Sequence, residues 1–179
     1  MNESKPEYLY HRVPPNMVGK VLYPLNQLKA IYPEQYEDEV KKYEGRERLL
    51  TAEVPPLHCL WNDVIHMTAV APDELRANLA LADLSYPQRE WFKIPVSKII
   101  GENSIAFIYR RDKNLEPNFK DYEPFTVDRM ELYRTVPVET IEYYREMKAL
   151  DKRPLLFHLV PHILYKGTID TSDIEIITG

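Results

Sequence analysis

Only five glycines, one cysteine and no long apolar run are found in this sequence of 179 residues. Set against fifteen prolines, the few glycines predict short elements joined by stiff connectors, because proline fixes the backbone where glycine would loosen it. The lone cysteine, Cys59, has no internal disulfide partner, which fits a reducing compartment and an expected cytoplasmic location. In its apolar surroundings it reads as a small buried hydrophobe. No window supplies the ~20 consecutive apolar residues of a membrane span, and the polar start, Met1 to Glu7, has no apolar stretch of the kind a secretory signal needs. A soluble chain with no membrane partner is expected.

Several motifs are also missing. There is no Gly-x-x-x-x-Gly-Lys loop or Gly-x-Gly-x-x-Gly turn for a nucleotide phosphate, no Gly-x-Ser-x-Gly elbow, no His-Glu-x-x-His and no Cys-x-x-Cys. P-loop, Rossmann and serine-hydrolase chemistry are thereby disfavoured. A metal site built from His58, Cys59, His66, His158 and His162 is also disfavoured, since Pro161 breaks any helix joining the last two. A formal net charge of -5 argues against a broad non-specific nucleic-acid surface, which would need excess Lys and Arg. The basic clusters Arg46/Arg48, Arg110/Arg111/Lys113 and Lys148/Lys152/Arg153 read as solvated faces, although a narrow nucleic-acid site stays open.

What is present points to one α+β domain over residues 1–179, with 1–6 a loose tail. Its expected sheet is mixed or antiparallel, with several short helices. Tyr8 to Val13 reads as a strand stopped by Pro14-Pro15. Residues 34–44 read as a helix opened by Pro33, and Pro72 opens a second helix bearing Leu75, Leu79 and Ala82 on one face. Leu57 to Val70 reads as one long strand. Further strands are expected at 91–95, 104–109, 125–127, 130–133, 155–160, 162–166 and 174–177. A turn of helix is expected at 96–100, a helix from Pro137 to Leu150 that buries Ile141, Tyr144 and Met147, and a candidate lid at 110–123.

The long strand carries the functional interest. A period of two puts His58, Leu60, Asn62, Val64, His66 and Thr68 on one face, so an amide, an imidazole and a hydroxyl share a wall suited to orienting a sugar or amide ligand. Buried polar groups without partners cost about 1 to 3 kcal/mol each. Such groups therefore belong either to a satisfied network within the sheet or to a ligand pocket. Tyr10, His11 and Arg12 repeat the theme at the end of the first strand. There His11 is either a satisfied core histidine or a ligand contact, and Arg12 either a surface charge or a phosphate contact. Thirteen tyrosines include Tyr23, Tyr32, Tyr109 and Tyr165 as candidate stackers.

Two of these segments resemble the ADP-ribosyltransferase-like fold, in particular its RNA 2′-phosphotransferase branch. Tyr10-His11-Arg12-Val13 is similar to an opening strand whose histidine binds a ribose hydroxyl of NAD. Asn62-Asp63-Val64-Ile65-His66-Met67-Thr68 resembles the pattern Arg-Asn-His-Ile-His-Leu-Ala, with His66 at its second histidine. Asn62, Asp63 and Val64 depart from that pattern at groups used on phosphate, so removal of an RNA 2′-phosphate does not carry over. The resemblance implies a split sheet whose cleft holds NAD, with His11, His66 and a late glutamate as catalytic residues. It also implies cofactor contacts from Tyr10, Arg12, Asn62 and Thr68. Glu175 is the glutamate available on the last strand, and Glu139 and Glu142 are alternatives. The expected function is an NAD-dependent ADP-ribosyltransferase-like enzyme acting on a protein or nucleic-acid target. The alternatives are a non-catalytic module binding a small ligand or a protein, and a metal-dependent enzyme.

Overall fold

Proline opens the three helices expected at Pro33, Pro72 and Pro137, and a fourth, at Leu25–Ile31, that was not expected. The computed structural model describes residues 7–108 and 121–179. Its strands and helices are, in chain order, β1 (Tyr8–Arg12), β2 (Val21–Leu22), α1 (Leu25–Ile31), α2 (Pro33–Val40), β3 (Glu53–Val54), β4 (Cys59–Leu60), β5 (Ile65–Met67), α3 (Pro72–Ala80), β6 (Glu90–Pro95), β7 (Ser104–Phe107), β8 (Tyr122–Pro124), α4 (Met130–Arg134), α5 (Val138–Ala149), β9 (His162–Tyr165), β10 (Ile169–Asp170) and β11 (Glu175–Thr178). Pro33 and Pro72 occupy the first helical turn, where the missing N–H would have no intrahelical partner, and Pro24 and Pro137 stand just before α1 and α5. Acids in the first turns of α2, α3 and α5 complement the helix dipole.

The chain is a single α+β domain, and every strand pairing among the described residues is antiparallel. One sheet has the order β1-β6-β11 and the other β5-β9-β7-β8, with β2-β10 and β3-β4 as two small ribbons. Of the two central strands, β9 is buried on both faces, and β6 is buried on the face of Phe92 and Ile94 and at Trp91, while Lys93 opens its other face to solvent. Phe92 and Ile94 of β6 and Ile163 and Leu164 of β9 are all sealed, which explains why these strands read as apolar runs. One core lies between the sheets and draws Leu9, Phe92 and Ile94 from the first and Met67, Ala106 and Ile163 from the second. A second core covers the other face of the β9 sheet with Leu25 and Leu28 of α1, Trp61 and Leu164. The third sets Leu75 and Leu79 of α3 and Tyr144 of α5 against Trp91 of β6. No helix among the described residues is long and apolar enough to cross a membrane.

Three expectations are corrected. The strand predicted over 57–70 is broken into β4, a 3-10 turn at Trp61–Asp63 and β5. The Asp63 carboxylate accepts the Leu60 N–H at 2.8 Å and the Asn26 amide at 2.7 Å, offering the backbone a local partner in place of a ladder. The strands expected at 125–127 and 130–133 are a 3-10 turn at Val127–Arg129 and the helix α4, whose buried Met130 and Tyr133 follow helical spacing. The strand expected at 155–160 is an irregular turn with Leu159 at φ +59°. It is tied to α5, since Thr140 donates its hydroxyl to the His158 carbonyl at 2.7 Å and Tyr144 donates to the Leu156 carbonyl. In α5, Ile141 and Tyr144 are buried and Met147 half-buried. The loop expected as a lid lies mostly outside the described residues, and so does Tyr109.

Candidate functional site

The two sheets meet at one residue pair. Tyr10 of β1 donates its backbone N–H to the Thr68 carbonyl at 2.7 Å, and Thr68 returns the bond at 3.0 Å. No further pair forms between β1 and the 65–68 segment, so the strands splay from this junction. The residues leading away from it, His11 to Pro15 on one side and, on the other, Met67 back to Trp61 except Asp63, line a cavity of about 550 Å³. That volume lies within the range of small-molecule and cofactor pockets. Tyr10, His11, Arg12, Asn62, His66 and Thr68, all singled out from sequence, border it together. The broken strand does not scatter them, because the 3-10 turn swings Asn62 and Trp61 back toward the ring of His66.

Each imidazole is fixed by one backbone carbonyl. His11 Nδ1 donates to the Arg12 carbonyl at 2.7 Å, and His66 Nε2 donates to the Trp61 carbonyl at 2.7 Å. A carbonyl only accepts, so these bonds leave His11 Nε2 and His66 Nδ1 as lone-pair acceptors in the neutral rings. Burial is the main force keeping them neutral. It pulls His11 down to about 4, helped by the Lys42 charge, and His66 down to about 3, helped by His162. Burial likewise takes His162, which lines the same cavity, to about 4. Among the described residues no three His, Cys, Asp or Glu side chains are arranged to hold a metal ion.

A belt of rings forms one wall. Trp61 meets His66 at 4.7 Å between centroids, His66 meets His162 at 6.4 Å, His162 meets Phe157 at 6.1 Å, and Phe157 meets Trp91 at 6.4 Å. Both tryptophans of the chain are in it. The rim is cationic. Arg12, Lys42, Arg46 and Arg153 line the cavity with two acids, Asp38 and Glu39. Asp38 is bound to Lys41 at 2.7 Å and Glu39 to Lys42 at 3.2 Å. Arg12, Arg46 and Arg153 have no carboxylate partner among the described residues.

Glu175 is the correction at this site. It stands on the edge strand β11, exposed, with its carboxylate 2.8 Å from Lys93 Nζ. The register sets Glu175 opposite Lys93 and Lys93 opposite Tyr10, so Glu175 is two strands, about 10 Å, from Tyr10, and it does not line the cavity. Glu139 and Glu142 do not line the cavity either. Of the expected stackers, Tyr23 borders it, whereas Tyr32 and Tyr165 do not. Arg46 and Arg153, which read from sequence as solvated faces, both border the cavity, Arg46 half-buried and Arg153 still exposed. Trp91, Phe157 and Lys42 went unnoticed as site residues. Only the rarity of tryptophan could have drawn attention to one of them.

No protein-family model, curated protein or solved structure matches this chain.

Proposed function

We propose that the cavity binds NAD and that the chain is an ADP-ribosyltransferase-like enzyme. The observation that carries this reading is the convergence, in one pocket of about 550 Å³, of two neutral imidazoles held as acceptors, an aromatic belt and three arginines without carboxylate partners. Each part answers a part of the dinucleotide. Arg12, Arg46 and Arg153 are suited to the pyrophosphate, because guanidinium pairs with phosphate oxygens in a matching fork. His11 Nε2 and His66 Nδ1 are suited to accept from ribose hydroxyls. Their low proton affinity makes them weak general bases at neutral pH and steady hydrogen-bond acceptors instead. The ring belt is suited to the flat nicotinamide and adenine groups.

In the proposed reaction the bond between the nicotinamide nitrogen and ribose C1′ breaks, and its electron pair leaves with neutral nicotinamide. The acceptor's oxygen or nitrogen lone pair forms the new bond to C1′, and the acceptor's proton passes to a carboxylate. Glu39, a cavity acid, takes this role in place of Glu175, its negative charge also favouring the cation-like ribose at the transition state. The test is incubation with NAD labelled in the nicotinamide ring, read as release of free nicotinamide, beside a thermal-shift titration with NAD. Stabilisation with release supports the enzyme. Stabilisation without release supports a second reading, a non-catalytic nucleotide-binding module, which the outward position of Glu175 favours. Neither effect at millimolar NAD overturns both.

A further inference from the structure

The three orphaned polar atoms of the cavity wall belong to two residues. Asn62 is 1% exposed, and neither its Nδ2 nor its Oδ1 has a hydrogen-bond partner among the described residues. The same is true of Nε1 of Trp91, which is 3% exposed. Native interiors satisfy almost all such groups, so unpaired ones call for an explanation. Here both residues line the same cavity. They approach it from different elements, Asn62 on the 3-10 turn before β5 and Trp91 on β6. Trp61, the neighbour of Asn62, and Trp91 are the two ends of the ring belt.

The turn that carries Asn62 is otherwise well bonded. The Trp61 N–H donates to the Ala52 carbonyl at 2.7 Å, the Trp61 carbonyl accepts from His66, and Asp63 accepts from both Leu60 and Asn26. Its neighbours on both sides are fully used while its own amide is not. An unsatisfied amide contributes nothing to holding the turn, and a leucine of similar volume would fill the space without the desolvation cost.

We propose that Asn62 reads the edge of the ligand's planar ring and that Trp91 Nε1 donates a further hydrogen bond to it. This rests on the cavity being a nucleotide site. An amide offers one donor and one acceptor side by side, and its complement is an edge offering an acceptor beside a donor. Two parts of NAD have such an edge, the N6/N7 side of adenine and the primary carboxamide of nicotinamide. A ring lying along the aromatic belt presents its edge rather than its face to a group at the belt's end.

The test compares NAD with two analogues on the unmodified protein. In the first, hypoxanthine replaces adenine, which turns the exocyclic donor into an acceptor. In the second, nicotinic acid replaces nicotinamide, which removes the carboxamide donor. One of the two binds at least about tenfold more weakly than NAD, and which one it is names the ring seated on Asn62. Equal binding of all three overturns the proposal and leaves the NAD reading standing. If NAD does not bind, AMP against IMP and nicotinamide against nicotinic acid are compared instead. Discrimination within either pair upholds Asn62 as a reader while the NAD reading fails, and no binding by any of them overturns both.

Asn62→Leu gives an independent signature. It raises the melting temperature and lowers affinity for the preferred probe at least about tenfold, whereas a structural asparagine would show a lower melting temperature with affinity retained. Trp91 is followed by its indole N–H resonance. The chain has only two tryptophans, so the two indole peaks are assigned with Trp61→Phe. The Trp91 peak moves on addition of the probe, and a Trp91 peak unmoved at saturation removes it from the ligand's partners.

Discussion

Tyr10 and Thr68 exchange both backbone hydrogen bonds and, among the described residues, are the one backbone-bonded pair that joins the two sheets. Everything beyond that pair diverges, and the fork between β1 and β5 is the cavity. We expect the amides of Tyr10 and Thr68 to exchange with deuterium only on global unfolding, since both lie in a junction packed against Leu9, which is fully buried. Residue-resolved hydrogen exchange checks this. Fast exchange at either amide would mean that the fork opens by itself and that the cavity has no fixed shape.

Leu9 tests the core between the sheets. Leu9→Ala is expected to cost about 2 to 5 kcal/mol, the range for a buried leucine whose neighbours cannot collapse into the gap. Denaturant unfolding measures it, and a loss well under 1 kcal/mol would show that the sheets do not share a packed interior.

Asp63 holds the turn that delivers Asn62 and Trp61. Asp63→Ala leaves the Leu60 N–H and the Asn26 amide without their acceptor, for a stability loss of about 1 to 3 kcal/mol. Affinity for the nucleotide probe should fall with it. Asp63→Asn, which keeps one acceptor oxygen, should recover part of both.

The three cavity histidines predict an acid-side loss of stability. All three bind protons less readily in the folded protein, at about 4, 3 and 4 for His11, His66 and His162, than in the unfolded chain, where the ordinary value is 6.5. The unfolded state therefore gains protons first as pH falls. Their neutral burial is fully compatible with folding above about pH 6.5, and stability drains away from there down to about pH 4 for His11 and His162 and about pH 3 for His66. A melting temperature that is flat from about pH 7 to 8 and drops steeply below about pH 6 is the expected curve. In His66→Gln the drop should be shallower.

Arg12, Arg46 and Arg153 make a charge-based prediction. Replacing Arg12 or Arg46 by alanine should weaken binding of an anionic nucleotide about tenfold, the size of one lost charge-assisted hydrogen bond. The dependence of affinity on salt should flatten, with little change in melting temperature. By contrast, Glu175→Gln should leave binding and nicotinamide release unchanged, because its carboxylate faces Lys93 on an exposed sheet edge.

Much of this protein is local and was readable as such. Proline positions locate the starts of three helices, at Pro33, Pro72 and Pro137, because the effect of a proline on the backbone does not depend on distant residues, whereas the short helix after Pro24 carries no apolar period long enough to mark it. The strands at 91–95 and 162–166 are readable from their β-branched and aromatic residues, but that they are the central strands of the two sheets is decided by pairing order. Tyr10, His11, Arg12, Asn62, His66 and Thr68 stood out in sequence because polar side chains inside apolar strands need partners. Tertiary structure decided the rest. Whether 57–70 runs straight depended on Asp63 meeting Asn26, thirty-seven positions away, and no periodicity records such a meeting. Trp91, Phe157 and Arg153 became wall residues only because β6 and the turn after α5 pack beside the fork, and Arg46 because the segment after α2 does. Glu175 left the site because strand order put β11 on the far side of β6. Local sequence fixes which backbone shapes are cheap, whereas pairing order and long-range side-chain bonds decide which groups face one another across a cavity.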